Sequence, residues 1–116
     1  MNTSLSRGDV VLVPFPFTDL SSRKVRPALA VNVVGEDVLV AFLSSVVPIS
    51  PRAPTEFVLE PSHPDFSKTG LKGATTFKLA KLVCLHRSLI LRKLGHVSPS
   101  IQRELDVRLA RAVGLS

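Results

Sequence analysis

Residues 8–45 have the sequence GDVVLVPFPFTDLSSRKVRPALAVNVVGEDVLVAFLSS, which predicts the first half of a β-sheet. Three stretches of this sequence are rich in β-branched and apolar residues, as strands usually are. They are 8–14, 26–34 and 37–45. The two residues between the second and third stretches, Gly35-Glu36, predict a tight β-hairpin. A longer polar connection joins the first two stretches. Three cations lie near the start of the second strand: Arg23, Lys24 and Arg26.

Four more short extended segments are predicted downstream. They are Thr55–Leu59, Ala74–Lys78, Leu82–His86 and Leu89–Leu94. Five prolines between positions 48 and 64 predict loops on both sides of the first of these segments, which suits an edge strand. Leu79-Ala80-Lys81 and Arg87-Ser88 are interpreted as the connections between the last three. The chain therefore contains about seven predicted strands.

After residue 97 the apolar pattern changes to helical spacing. Ser98 suits the N-cap, Pro99 the first helical position and Gly114 the position after the helix. Ile101 and Leu105 begin the apolar stripe of one amphipathic helix. Short strands followed by one helix predict a mainly β domain, in which a small curved antiparallel sheet or barrel packs against a C-terminal helix.

Length and charge distribution indicate one domain with a basic C-terminal half. The 116 residues suffice for one domain with a single core, and the net charge is +6. Residues 1–67 hold five Lys/Arg and seven Asp/Glu, whereas residues 68–116 hold ten and two. The basic half favours a polyanionic partner, nucleic acid first, and a solvated basic surface is the alternative.

Localisation is predicted from two further features. No apolar run approaches the roughly 18–20 residues that span a bilayer. The single cysteine, Cys84, excludes an internal disulfide and is interpreted as a buried structural thiol. The cytoplasm is therefore the expected compartment.

Residues 7–31, RGDVVLVPFPFTDLSSRKVRPALAV, resemble the N-terminal signature of the MazF/PemK family of toxin endoribonucleases. Arg7-Gly8-Asp9 leads into the first strand, and an Arg-Pro pair opens the second. The resemblance continues more loosely through DVLVAFLSS, LKGATTFKLAKLVCLHRSLI and the terminal helix, so that residues 1–116 form one domain of this type. It implies an SH3-like barrel, usually a homodimer, that cuts single-stranded mRNA without a metal or other cofactor and is neutralised by a cognate antitoxin.

Two catalytic positions follow from this resemblance. The arginine before the proline of the second strand corresponds to Arg26, and the hydroxyl residue that ends the third strand corresponds to Ser44. The family usually has threonine at the second position, and a shift of one residue would place the hydroxyl at Ser45 instead. Arg26 suits the stabilisation of charge on a phosphate, because its planar guanidinium donates to two oxygens at once.

Other residues are candidates for supporting roles. Arg23 and Lys24 precede Arg26 and suit flanking phosphates, with a solvated loop as the alternative. Phe17 is a candidate for base stacking, because single-stranded RNA is commonly recognised by bases stacked on aromatic rings. The alternative is that Phe17 closes the end of the barrel. His86 is the reserve candidate for acid-base chemistry, and Arg87 beside it is a candidate RNA contact. The three histidines, at positions 63, 86 and 96, lack metal-ligand spacing, and no metal site is predicted.

Two alternatives to an endoribonuclease stay open on the sequence. The same barrel occurs in gyrase-binding toxins of the CcdB type, although the Arg-Pro pair disfavours that class. A catalytically silent nucleic-acid-binding barrel is the second alternative, which the basic half and the serine at position 44 support.

Overall fold

The computed structural model describes residues 4–15, 24–48 and 53–116. The described residues form six strands and one α-helix: β1 (Asp9–Phe15), β2 (Lys24–Val34), β3 (Asp37–Ser44), β4 (Glu56–Leu59), β5 (Thr75–His86), β6 (Arg92–His96) and α1 (Pro99–Ala112). The strands make one antiparallel sheet in the order β4-β5-β3-β2-β1-β6. The sheet curls into a half-barrel, so the predicted mainly β fold with a C-terminal helix is confirmed. No helix in these three ranges has both the length and the apolar character required to cross a membrane.

The β2–β3 hairpin contains one extra residue that shifts its register. Gly35 begins the predicted two-residue turn with a φ of +61°, a conformation that glycine adopts without strain. Val34 lies opposite Asp37 and Asn32 opposite Leu39, but beyond the bulge Ala30 lies opposite Val40. Val31 is the unpaired residue. Every pair beyond this bulge is therefore displaced by one position relative to a regular hairpin.

The prediction of seven strands was wrong, because two predicted segments belong to the single strand β5. Phe42 lies opposite Lys78 and Ala41 opposite Leu82, so Leu79-Ala80-Lys81 form a bulge and not a turn. The backbone N–H of Leu79 donates to the Thr55 carbonyl at 3.1 Å, and the Leu79 side chain is buried. Burial of an apolar residue and a paired backbone keep this segment within the strand.

Two local predictions also need correction. The segment predicted as a strand from Leu89 begins later, at Arg92, because Arg87–Leu89 form a 3₁₀ turn. Cys84 was predicted to be buried but is exposed. Alternation along β5 turns the neighbouring Leu85 into the core and leaves the thiol on the opposite face.

Buried residues lie on both faces of the sheet. Against α1, the first cluster includes Leu29, Phe77, Leu79, Ile101 and Leu105, each at most 1% exposed. The second cluster, on the opposite face, comprises Val11, Val13, Ala28, Ala30, Val38, Val40 and Leu85. Alternate residues of β2 and β3 enter the two clusters, as the period of two requires.

The helix begins as predicted. The Ser98 hydroxyl oxygen accepts a hydrogen bond from the Ile101 backbone N–H at 3.2 Å, and Pro99 occupies the first turn. The same hydroxyl bonds to Asp65, which lowers the pKa of that carboxyl, while desolvation opposes the shift and Lys68 assists it. Gly114 follows the helix with a φ of +78°, as predicted for the position after the end.

Two glycines let the 3₁₀ turn Phe66–Thr69 approach β6 backbone to backbone. A Cβ atom on Gly95 would lie 2.3 Å from the Lys68 carbonyl oxygen, and one on Gly70 would lie 2.4 Å from the Leu94 carbonyl oxygen. Both distances are too short for any side chain, and Gly70 also has a φ of +73°. The contact therefore fixes residues 70–74 relative to β6.

Replacement of Gly95 by alanine tests this contact. Because the new methyl group would meet rigid backbone, we expect Gly95→Ala to lower the free energy of unfolding by about 1–3 kcal/mol in urea denaturation. Gly73→Ala is the matched control, since its Cβ would meet nothing within 4 Å. Equal stability of the two variants would contradict the close approach.

Candidate active site

A pocket of about 810 Å³ opens at one end of the sheet, where β2 and β3 part. Pairing between these two strands ends at Ala28 and Phe42. Beyond that point β2 continues beside β1, and β3 continues beside β5. This strand-end pocket is lined by residues of β1, β2, β3 and β6 and by residues 70–75, among them Arg26, Ser44 and Ser45.

The last β2–β3 pair before the strands part is Ala28 with Phe42. Extrapolated by two residues past that pair, the register would align Arg26 with Ser44 and not with Ser45. Arg26 then shares a sheet face with Ala28, and Ser44 shares that face with Phe42. Ser45 follows the end of β3 in a bend and is more exposed than Ser44. Both serines line the pocket, and Ser44 is the last residue of β3.

The Ser44 side chain is held by the turn that follows it. Its Oγ accepts a hydrogen bond from the Val46 backbone N–H at 3.1 Å. The Val46 carbonyl in turn accepts from the Thr76 hydroxyl at 2.8 Å, and Thr76 is fully buried opposite Ser44. The two bonds fix the Val46 residue on both sides, so the Ser44 oxygen has a defined place while its own O–H can still donate.

The charged side chains that the structure describes along the strand-end pocket all carry a positive charge. They belong to Arg26, Lys72 and Arg92, and no Asp or Glu of the described chain lines this pocket. The remaining wall is largely apolar. Such a wall suits a ligand that combines anionic groups with flat apolar surfaces, as a nucleotide strand does.

Comparison with known proteins identifies the family. Residues 6–113 match the model of the PemK-like, MazF-like toxins of type II toxin-antitoxin systems. The chain belongs to this family. The predicted toxin class is therefore confirmed, and the toxins of this family cleave RNA.

Solved structures of toxins show the same fold. An endoribonuclease in complex with its cognate antitoxin, from Mycobacterial species, has 22% identity and a TM-score of 0.73 and covers 97% of this chain and 98% of its own. MazE-MazF from Deinococcus radiodurans has 20% identity and a TM-score of 0.73, and the match covers 99% of this chain and 100% of that chain. The Mycobacterium tuberculosis toxin MazF-mt6 has 17% identity and a TM-score of 0.70, and the match covers 93% of this chain and 98% of that chain. No curated protein sequence matches this toxin.

The structure does not bring His86 and Arg87 to the strand-end pocket of this toxin. His86 ends β5 opposite Asp37, ten residues beyond Thr76 and up to about 30 Å from it along the strand. Its Nδ1 accepts from the Ser88 N–H at 3.1 Å, and its Nε2 lies 3.7 Å from Glu36. The imidazole therefore caps the turn that follows β5. Arg87 belongs to that turn.

The remaining candidates lie at the start of β2 or before it. Lys24 is exposed opposite Phe15 and does not line the strand-end pocket. Arg23 and Phe17 lie outside the described residues. The sequence prediction missed Lys72 and Arg92, because a basic C-terminal half indicates a basic surface but not which of its cations face the pocket.

The hydrogen bond from Thr76 to Val46 yields a stability prediction. Replacement of Thr76 by valine keeps the side-chain shape but removes this donor from the carbonyl of the exposed Val46, so we expect a loss of about 0.5–1.5 kcal/mol in the free energy of unfolding. Thr76→Ser keeps the hydroxyl and serves as the control. If chemical denaturation shows Thr76→Val to be as stable as Thr76→Ser, the bond does not hold this turn.

Proposed function

We propose that this toxin is a metal-independent endoribonuclease that cleaves single-stranded mRNA in the cytoplasm. The observation that carries the proposal is the convergence of Arg26 and Ser44 on one cation-lined pocket. Membership of a family of RNA-cleaving toxins supports it. The same membership favours RNA cleavage over the gyrase-binding alternative.

The proposed reaction uses the substrate's own 2′-hydroxyl as the nucleophile. A bond forms between the 2′-oxygen and phosphorus, and the bond from phosphorus to the 5′-oxygen breaks. The 2′-hydroxyl loses a proton and the leaving 5′-oxygen gains one, so the products are a 2′,3′-cyclic phosphate and a 5′-hydroxyl end. Negative charge accumulates on the phosphate oxygens in the transition state, and fixed donors there lower the barrier.

Arg26 is proposed to stabilise that charge. Its side chain is exposed at the mouth of β2, and it forms no ion pair with a carboxylate of the described residues. A guanidinium can donate two parallel hydrogen bonds to the nonbridging oxygens of a phosphate. Pro27 fixes the backbone just after it, because the proline ring restricts both its own φ and the preceding residue.

Ser44 is proposed to donate to the same phosphate. Its oxygen already accepts from the Val46 N–H, so the hydroxyl proton can point away from the turn. The proposal is supported by the β2–β3 register, which on extrapolation past Ala28 and Phe42 would align this hydroxyl with Arg26. Ser44 therefore acts as a second, neutral donor, and Ser45 is the alternative.

The proposed partners are single-stranded RNA, a second copy of the chain and a cognate antitoxin. A type II system pairs the toxin with an antitoxin protein, and structures of similar fold include complexes of toxin and antitoxin. A homodimer would place two strand-end pockets in one particle.

Single substitutions at the pocket test the proposal. With a chelator present, we expect wild type to cleave single-stranded RNA and Arg26→Ala to lower kcat by about 100–1,000-fold, the usual effect of losing one transition-state donor. Ser44→Ala is expected to lower kcat by about 10-fold or more, because the lost donor is neutral. Ser45→Ala is the matched control and should stay near wild type. Cleavage would be followed by gel separation of end-labelled RNA.

Two results would contradict the proposal. Undiminished cleavage by Arg26→Ala would show that Arg26 does not stabilise the transition state. RNA binding by wild type without any product would instead support the catalytically silent barrel.

A further inference from the structure

Two cations of the strand-end pocket have no assigned role. Lys72 lies in the loop before β5, and Arg92 begins β6; both side chains are exposed and line the pocket with Arg26. We infer that Lys72, supported by Arg92, forms a second phosphate subsite that binds a nucleotide beside the cleaved bond. This inference rests on the proposed function.

The loop that carries Lys72 is fixed on both sides. The buried Thr69 hydroxyl donates to the Phe66 carbonyl at 2.7 Å and accepts from the Leu71 N–H at 3.2 Å. On the other side of Lys72, the Thr75 hydroxyl donates to the Gly73 carbonyl at 2.9 Å. A lysine between two anchored residues loses less backbone freedom when it binds a ligand.

Neighbouring cations outside the pocket are paired with acids. Lys68 lies 3.7 Å from Asp65, and Lys93 lies 3.2 Å from the buried Asp9. By contrast, Lys72 and Arg92 form no ion pair with an acid in the described part of the chain. Within the described ranges, the charges of Lys72 and Arg92 are therefore not neutralised by an acid, which suits an anionic ligand.

The spacing of the cations suits more than one phosphate. Arg92 lies opposite Leu12, and Leu12 lies opposite Pro27 on the next strand. Two interstrand spacings separate Arg92 from Pro27, which is about 10 Å between backbones. Arg92 shares a sheet face with Leu12 and Pro27, whereas Arg26, the neighbour of Pro27, belongs to the other face. The two side chains therefore reach the pocket from different faces at the end of the sheet, which suits contacts with different phosphates of one strand. The Lys72 ammonium acts as a point charge that binds without demanding one geometry.

A flanking phosphate contact has a defined kinetic signature. It binds substrate and transition state equally, so its loss raises KM and leaves kcat unchanged. It also releases counterions, and each contact contributes about 0.7 to the slope of log affinity against log salt for single strands.

The test compares two lysine-to-glutamine variants that remove the same charge. Lys72→Gln alters the pocket, whereas Lys81→Gln alters an exposed lysine of β5 outside it. The binding probe is a short random-sequence 2′-O-methyl oligonucleotide, which cannot undergo 2′-hydroxyl attack, and its affinity is followed by anisotropy over a range of salt. Cleavage of unmodified RNA gives KM and kcat in parallel.

We expect Lys72→Gln to weaken binding and raise KM about 3–10-fold, to reduce the salt slope by about 0.7 and to keep kcat. Lys72→Arg should restore the salt slope of the wild type, and Lys81→Gln should match the wild type.

If wild type cleaves RNA but Lys72→Gln matches Lys81→Gln in KM and salt slope, the subsite is wrong and the proposed function stands. If wild type binds the probe without cleaving RNA, the proposed reaction fails, and a slope change confined to Lys72→Gln still supports the subsite. Absence of both binding and cleavage overturns both.

Discussion

The β-bulge at Val31 is the constraint on which the candidate site depends. The tight turn at Gly35-Glu36 would otherwise pair residues of β2 and β3 in a regular register, in which Arg26 aligns with Ser45. One extra residue in β2 moves that alignment to Ser44. Val31 is held in this position because its side chain is buried in the cluster against α1. Core packing therefore sets the register in which β2 and β3 approach the pocket.

The pocket exists because β2 and β3 separate at their ends and each keeps another partner. β2 stays paired with β1 as far as Lys24, and β3 stays paired with β5 as far as Ser44. Their backbone hydrogen bonds are thus retained on one side while the space between them opens. The glycine contacts at Gly70 and Gly95 bring a loop from a distant part of the sequence to the same opening.

Features governed by local chemistry were predicted from the sequence. The hairpin at Gly35-Glu36 and the helix cap at Ser98 depend on a few adjacent residues, and both were predicted correctly. The pairing of Arg26 with a hydroxyl was proposed from the family resemblance. The sequence left Ser44 and Ser45 as alternatives, and the strand register that bears on them depends on a bulge elsewhere in β2.

Features that depend on contacts between distant residues were not predicted. The bulge at Leu79-Ala80-Lys81 is held by Thr55, more than twenty residues earlier, and the sequence around it resembles a turn. Lys72 and Arg92 meet in the pocket through the docking of a 3₁₀ turn on β6, which is visible in sequence only as isolated glycines. His86 was a catalytic candidate because of its basic neighbourhood, but that neighbourhood lies at the other end of β5.

A double-mutant cycle on kcat tests whether Arg26 and Ser44 act on one phosphate, as we propose. Wild type, Arg26→Ala, Ser44→Ala and the double variant would be compared on one RNA under single-turnover conditions. Groups that contact the same phosphate should be coupled by about 0.5–3 kcal/mol, so the double variant should lose less than the product of the two single losses. Losses that multiply, with no coupling between the two positions, would contradict a shared site.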